Sequence, residues 1–457
     1  MSTMLVRNAS VLLTMDDQRS QIRQGGLFIQ DNVIRQVGPT AHLPREADTV
    51  LDASGMIILP GLINTHHHMY QTLTRALPGA QDEELFGWLT RLYPVWGELT
   101  DEAVYVSALI AQSEMILTGC TTTTDHLYVY PNDCTLDAEI RAASELGVRF
   151  HPTRGSMSLG RSKGGLPPDN CVEDETAILK DSRRVIERFH DPRPYSMLRI
   201  GLAPCSPWSV TPQLMRDAAE LARSHDKVML HTHVAECLDE ERYCDEKFGT
   251  RPAEQMRRLG WVGSDVWWAH AIFLNDDEVA MLAETGTGVA HCPTSNMRLG
   301  SGIAKVKEMR AAGVKVGIGV DGSSSNDSCN MIGEARNALL LQRVTKGASA
   351  LGVLDALELG TRGSAAVIGR DDIGLLAPGK AADFIGLRLD RLEFAGAAAH
   401  DPAAAVLLCN AGTVDLSVIN GKQVVKDRKI LSVDLEPLIA RQNKLAAAMA
   451  ARHPVTS

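Results

Sequence analysis

The apolar stretch Ile57–Ile63, bent at Pro60-Gly61, runs through Asn64-Thr65 into three consecutive histidines, His66, His67 and His68. Side chains alternate along a strand, so His66 and His68 share one face while His67 points to the other. Two imidazoles about 7 Å apart along a strand can chelate one ion with modest adjustment. Three further apolar runs end the same way. Val228–Leu230 leads into His231-Thr232-His233 and, after Val234-Ala235, Glu236; Val266–Ala269 ends in His270; Val314–Val320 ends in Asp321-Gly322. In a parallel α/β protein the carboxyl ends of the strands converge on one rim, where chemistry collects. Nitrogen and carboxylate donors without cysteine suit zinc, or iron, in a site that keeps an open position for water.

The elements that must carry these residues are legible from periodicity. Met4–Leu13 and Gly26–Val37 alternate like strands, with Asp31-Asn32 as a turn. After the opening strand at Ile57, apolar strands are expected near Thr121–Asp125, Val148–Pro152, Leu198–Ala203, Lys227–His231, Asp265–Ala269, Thr287–His291 and Val314–Val320. Helical patterns separate them, among them Glu102–Leu117, Pro212–Ser224, Asp276–Glu284 and Ile303–Ala312. Eight such units make a (β/α)8 barrel the economical α/β fold. Beyond Lys380 short strands return at Asp383–Leu387, Ala404–Leu408 and Val414–Val425, the last containing the hairpin signal Asn420-Gly421. The expected organisation is a small β-sandwich begun by residues 1–59, a barrel over 60–376, and the rest of the sandwich plus a terminal helix, Leu435–Arg452, in 377–457. That helix is read either as a contact in a homo-oligomer, which we expect, or as a surface helix.

Composition narrows the class of partner. The 457 residues are 44% hydrophobic, enough for a large core, and the net charge of −10 contains no basic block. That distribution disfavours polymeric nucleic acid and anionic membrane. Nine cysteines without a C-x-x-C pair read as reduced thiols, and no apolar signal core or membrane-length run is present. The expectation is a soluble cytoplasmic enzyme acting on small molecules.

Taken together, the motifs resemble the amidohydrolase superfamily, in its branch of mononuclear deaminases and triazine hydrolases that act on ring amines. The residues that carry the resemblance are Pro60-Gly61 with Asn64-Thr65-His66-His67-His68, the pair His233 and Glu236, His270, the run His291–Gly300, Gly319–Gly322, and Leu376–Phe384. They span nearly the whole chain. Within the branch, His66–Arg75 and Cys205–Val210 are most similar to enzymes that deaminate 8-oxoguanine. The resemblance implies one divalent metal, zinc first and iron second, held by His66, His68, His233 and Asp321, with His231 left as a layer of the barrel. A second metal would need a bridging lysine near the fourth strand, and Leu198–Ser206 has none. It implies that Asp321 accepts the proton of the attacking water, that His270 orients that water, and that Glu236 delivers a proton to a ring nitrogen and then to departing ammonia.

For the substrate, Gln71 stands where guanine deaminases read the purine edge with an amide, which can both donate and accept. The arginine those enzymes carry after the proline of the fourth strand is replaced here by Cys205-Ser206-Pro207-Trp208. Cys205 and Trp208 are therefore expected to shape and stack on a flat oxidised purine, with Trp88, Trp96 and Arg154 as further pocket candidates. The expected reaction is 8-oxoguanine to uric acid and ammonia, with isocytosine as an analogue substrate. The alternatives are hydrolysis of aminotriazines of the hydroxyatrazine type and deamination of guanine or adenosine-type nucleosides. A noncatalytic assembly homologue would have no need of His66, His68, His233, Glu236, His270 and Asp321 together. The zinc deaminases of polynucleotides use H-x-E with P-C-x-x-C, and neither pattern occurs.

Overall fold

The computed structural model describes residues 1–453. Eight parallel strands close into a barrel: β1 (Leu62–Asn64), β2 (Cys120–Leu127), β3 (Arg149–Ser156), β4 (Gly201–Pro204), β5 (Met229–Val234), β6 (Val266–His270), β7 (Gly288–His291) and β8 (Lys315–Ile318). Each strand pairs with the one before it, and β8 closes on β1 through Ile318 and Asn64. Every residue of β2, β3, β5 and β6 is buried, as expected of strands walled by helices on one face and by barrel side chains on the other. The helices between them start at side-chain caps: Thr100 caps Asp101–Leu117, Thr211 caps Pro212–Arg223, and Asn275 with Glu278 forms a capping box for Asp276–Thr285.

Both chain ends build one nine-stranded sheet. Met56–Pro60 lies at its centre, flanked by Thr3–Leu13 on one side and Phe384–Arg388 on the other, and Gly61 carries it directly into β1. The sheet curls until its turns meet, where the Asn32 amide donates to Asn420 Oδ1 at 3.0 Å. Val6, Leu12, Leu27, Ile58, Phe384 and Val418 belong to its own core. Arg149, at the start of β3, ties barrel to sheet. Its guanidinium donates to both carboxylate oxygens of Asp383 at 3.0–3.1 Å and to the carbonyls of Tyr195 and Ser196.

Two expectations change. Ala404–Leu408 is not a strand but part of the helix Pro402–Leu408, whose start is set by the Asp401 carboxylate accepting from Ala404 N and by proline in the first turn. The strand expected at Leu198 begins only at Gly201, because Leu198 makes no more than an isolated bridge to Phe150. The C-terminal helix, Leu435–Ala451, packs against Asp101–Leu117 and against the turn after His68, where Gln442 Nε2 donates to Thr72 Oγ1 at 2.9 Å. The last four residues of the expected 377–457 segment lie outside the described residues. Among those described, no helix is long and apolar enough to cross a membrane.

Candidate metal and active site

β1 stops at Asn64, and His67-His68 then runs parallel to Asp321-Gly322, with Asp321 opposite His67. This two-residue ladder draws the first and last strand ends together. Two glycines make room for it. A Cβ on Gly319 would stand 2.6 Å from the His66 Cβ, and one on Gly322 would stand 1.8 Å from Gln71 Oε1. Asp321 and His270 both hold left-handed backbone, with φ of 61° and 70°. Such φ values are costly for residues with a Cβ and concentrate where surrounding structure fixes a functional side chain.

The tautomers of the histidines follow from their partners, because a carbonyl oxygen can only accept. His68 Nδ1–H donates to the His126 carbonyl and His233 Nδ1–H to the Cys205 carbonyl, each at 2.7 Å. His231 Nδ1–H donates to the Trp267 carbonyl at 2.9 Å, which leaves its Nε2 to accept from His66 Nδ1–H at 2.7 Å. Burial holds all three ligand-candidate imidazoles below their ordinary range, His66 well below and His68 down to about 3, so they stay neutral. Their Nε2 lone pairs therefore face one another and a carboxylate. His68 Nε2 lies 3.2 Å from His233 Nε2, and Asp321 Oδ1 lies 3.2 Å from His66 Nε2 and 3.3 Å from His68 Nε2. Acceptors packed against acceptors repel, and a cation among them converts that repulsion into ligation. His66 Nε2 is buried without a hydrogen-bond partner among the described residues. The donor set of three imidazoles and one carboxylate fits a divalent metal.

Beside this cluster His270 Nδ1–H donates to Asn296 Oδ1 at 2.9 Å, and its Nε2 points to Glu236 at 3.5 Å and Asp321 at 3.8 Å. Glu236 follows the end of β5, and its backbone N–H is anchored on Glu240. Burial, reinforced by Asp321 and opposed by His233, pushes the Glu236 carboxyl up to about 8, so it carries a proton at neutral pH. The structure thus gathers His66, His68, His233, Glu236, His270 and Asp321 within one cluster of atoms.

A small cavity opens above the cluster, and His68, His233, Glu236, His270 and Asp321 form its floor. Gln71, Cys205, Trp208 and Trp88 line it. Gln71 sits in a buried 3-10 turn, Met69–Thr74, where its Nε2 has no partner among the described residues. Trp208 leans on Phe86, and Trp88 Nε1–H donates to the Ser324 carbonyl. Burial pushes the Cys205 thiol up, which keeps it a neutral wall. Two pocket candidates fall elsewhere. Trp96 is buried behind the pocket between Tyr70 and Trp88, donating to Thr74 Oγ1. Arg154 points out of the barrel onto Glu173, Asp181 and the Tyr130 ring. It lies an odd number of positions from His151, whose ring meets Trp267 inside. Sequence reasoning missed Tyr93, Tyr128 and Ser325, which line the cavity, and Asn296, which fixes His270. Tyr128 lies directly past the end of β2, a signal that could have flagged it; Asn296 lies within the helix Pro293–Arg298, Ser325 in the loop after Asp321-Gly322, and Tyr93 within the helix Leu85–Trp96.

The amidohydrolase family profile matches residues 57–424. An 8-oxoguanine deaminase from Pseudomonas aeruginosa is 46% identical over 99% of this chain and 100% of its own length. A hydroxydechloroatrazine ethylaminohydrolase from Pseudomonas sp. (strain ADP) is 37% identical over 95% of this chain and 93% of its own. Among solved structures, the atrazine chlorohydrolase from Arthrobacter aurescens TC1 complexed with zinc superposes with a TM-score of 0.92 at 34% identity, covering 97% of this chain and 100% of that one.

Proposed function

The chain belongs to the amidohydrolase family, and on that premise we propose that it deaminates 8-oxoguanine, with water, to uric acid and ammonia. As a family member it is a hydrolase of carbon–nitrogen bonds that works with a divalent metal on a small heterocyclic substrate. The observation that carries the choice of ring is the pocket wall. Outside the cluster residues His68, His233, Glu236, His270 and Asp321, the residues lining it are aromatic and aliphatic groups, Cys205, Ser325 and the single amide Gln71, and no arginine or lysine is among them. Such a wall suits a flat, neutral lactam, and the 46% identical relative is named for that substrate.

Zinc bound by His66, His68, His233 and Asp321 would supply Lewis acidity and a water of lowered pKa. Around it the side chains divide the proton work. Asp321, the one carboxylate touching the imidazole cluster, accepts the proton of the attacking water. His270, oriented by Asn296, aligns that water through Nε2. Glu236, whose carboxyl burial raises, donates to the ring nitrogen beside C2 and carries a second proton to the leaving amine. Gln71 offers its unpartnered Nε2–H to the ring carbonyl, and Trp88 and Trp208 bound the ring faces. Tests on one enzyme preparation should give kcat/KM in the order 8-oxoguanine over guanine, with isocytosine accepted. A hydroxy-aminotriazine turned over faster than 8-oxoguanine would overturn the purine reading and leave the deaminase chemistry standing.

A further inference from the structure

His126, at the end of β2, is wholly buried beside the histidine cluster and has no part in the chemistry above. Its Nε2–H donates to the Ala203 carbonyl at 2.8 Å, so the lone pair sits on Nδ1. Nδ1 is buried and has no hydrogen-bond partner among the described residues. The ring lies 5.0 Å from His233, stacked, 5.3 Å from His68 and 6.0 Å from His66. Ligating atoms of His66, His68, His126 and His233 all fall within 4.8 Å of one another, as do those of His66, His233, His270 and Asp321. Nitrogens about 2.1 Å from one ion stand about 3.4 Å apart in a tetrahedral site, so shifts of up to about 0.7 Å per ligand close either set. The sets share His66 and His233 and cannot both be filled. His68, His233, Glu236, His270 and Asp321 line the cavity, whereas His66 and His126 do not.

We propose that His66, His68, His126 and His233 form a second, all-imidazole metal seat, inboard of the seat that uses Asp321. The inference rests on the metal-dependent reading only through the shared ligands His66, His68 and His233. Four neutral nitrogens select transition ions with high imidazole affinity, Zn²⁺, Co²⁺ and above all Cu²⁺, over Mg²⁺ or Ca²⁺. The Asp321 oxygen 3.2–3.3 Å from His66 and His68 compensates the ion's charge from outside the inner set. An ion in this seat is withdrawn from the face that Glu236 and His270 line, so inner occupancy is an idle state of the enzyme and excess Cu²⁺ would hold it there.

Removing the outer carboxylate isolates the inner seat. Metal-free Asp321→Asn protein, titrated with Co²⁺, is expected to bind one ion with the intense visible bands of a tetrahedral nitrogen site. Adding His126→Phe should weaken that binding at least about tenfold, by chelator competition, and remove the bands. Equal Co²⁺ affinity with and without His126→Phe, or no Co²⁺ binding by folded Asp321→Asn, would overturn the proposal. Should the double variant not fold, X-ray absorption on Zn²⁺-loaded Asp321→Asn decides: four imidazoles support the seat and three refute it. Failure of the wild-type enzyme to turn over any amino-heterocycle would refute the proposed function and leave these isotherms untouched.

Discussion

Two buried polar clusters in this protein are built on opposite principles. At the start of β3, Arg149 and Asp383 are almost completely buried, and every close contact is between a donor and an acceptor. At the far ends of β1, β5 and β8, the lone pairs of His66, His68 and His233 meet one another and Asp321, whose own backbone is held at left-handed φ. The first cluster is complete as protein and joins barrel to sheet. The second is complete only with a cation, which is what separates a ligand site from an internal strut.

That contrast breaks most visibly when the cation is taken away. Chelation should abolish turnover and re-addition restore it, while the melting transition of the Arg149–Asp383 region persists; elemental analysis should give about one metal per chain in active enzyme. Next in size is Glu236→Gln, which keeps shape and loses the acid. It should retain metal and lose at least about 100-fold in kcat, and near-normal turnover in a metal-loaded preparation would remove Glu236 from the mechanism. On the structural side, Arg149→Met strands the Asp383 carboxylate and should cost about 3–5 kcal/mol of stability by denaturant unfolding. Its signature is that metal affinity per folded molecule is unchanged.

Smaller effects sharpen the comparison. Gln71→Ala removes one unpartnered donor and should lower kcat/KM for 8-oxoguanine and isocytosine by about 1–3 kcal/mol, without altering metal content. The least effect is in the pH profile. Burial raises the Glu236 carboxyl to about 8, so its proton is present at neutral pH and is lost as pH rises through that value. A cation nearby draws the value down, so kcat should fall on an alkaline limb at or below about pH 8. Glu236→Gln should lack that limb.

The barrel and the sheet of chain ends were readable because buried parallel strands are unbroken apolar runs, and because the polar residue ending each run stands out against them. The convergence of His66, His233, His270 and Asp321 follows from that logic alone. What was not readable depended on direction or on distant partners. Arg154 looked like a pocket residue until the parity of β3 turned it outward onto Glu173 and Asp181. Ala404–Leu408 reads as a strand by hydrophobicity, although Asp401-Pro402 before it is a helix start. His126 carries no signal in the sequence, because the carbonyl that fixes its tautomer lies on β4, 77 residues away.

The clasp between Gln442 and Thr72 has a temporal meaning. The turn bearing Gln71 is translated early, yet the side chain that pins its neighbour belongs to the helix Leu435–Ala451. Chains fold domain by domain as they emerge from the ribosome. Here the histidines beyond β1 must also wait for Asp321, and the turn that carries Gln71 waits longer still for Gln442. A chain halted before residue 435 would own all the metal-facing side chains and lack the hydrogen bond from Gln442 to Thr72 in the turn that carries Gln71.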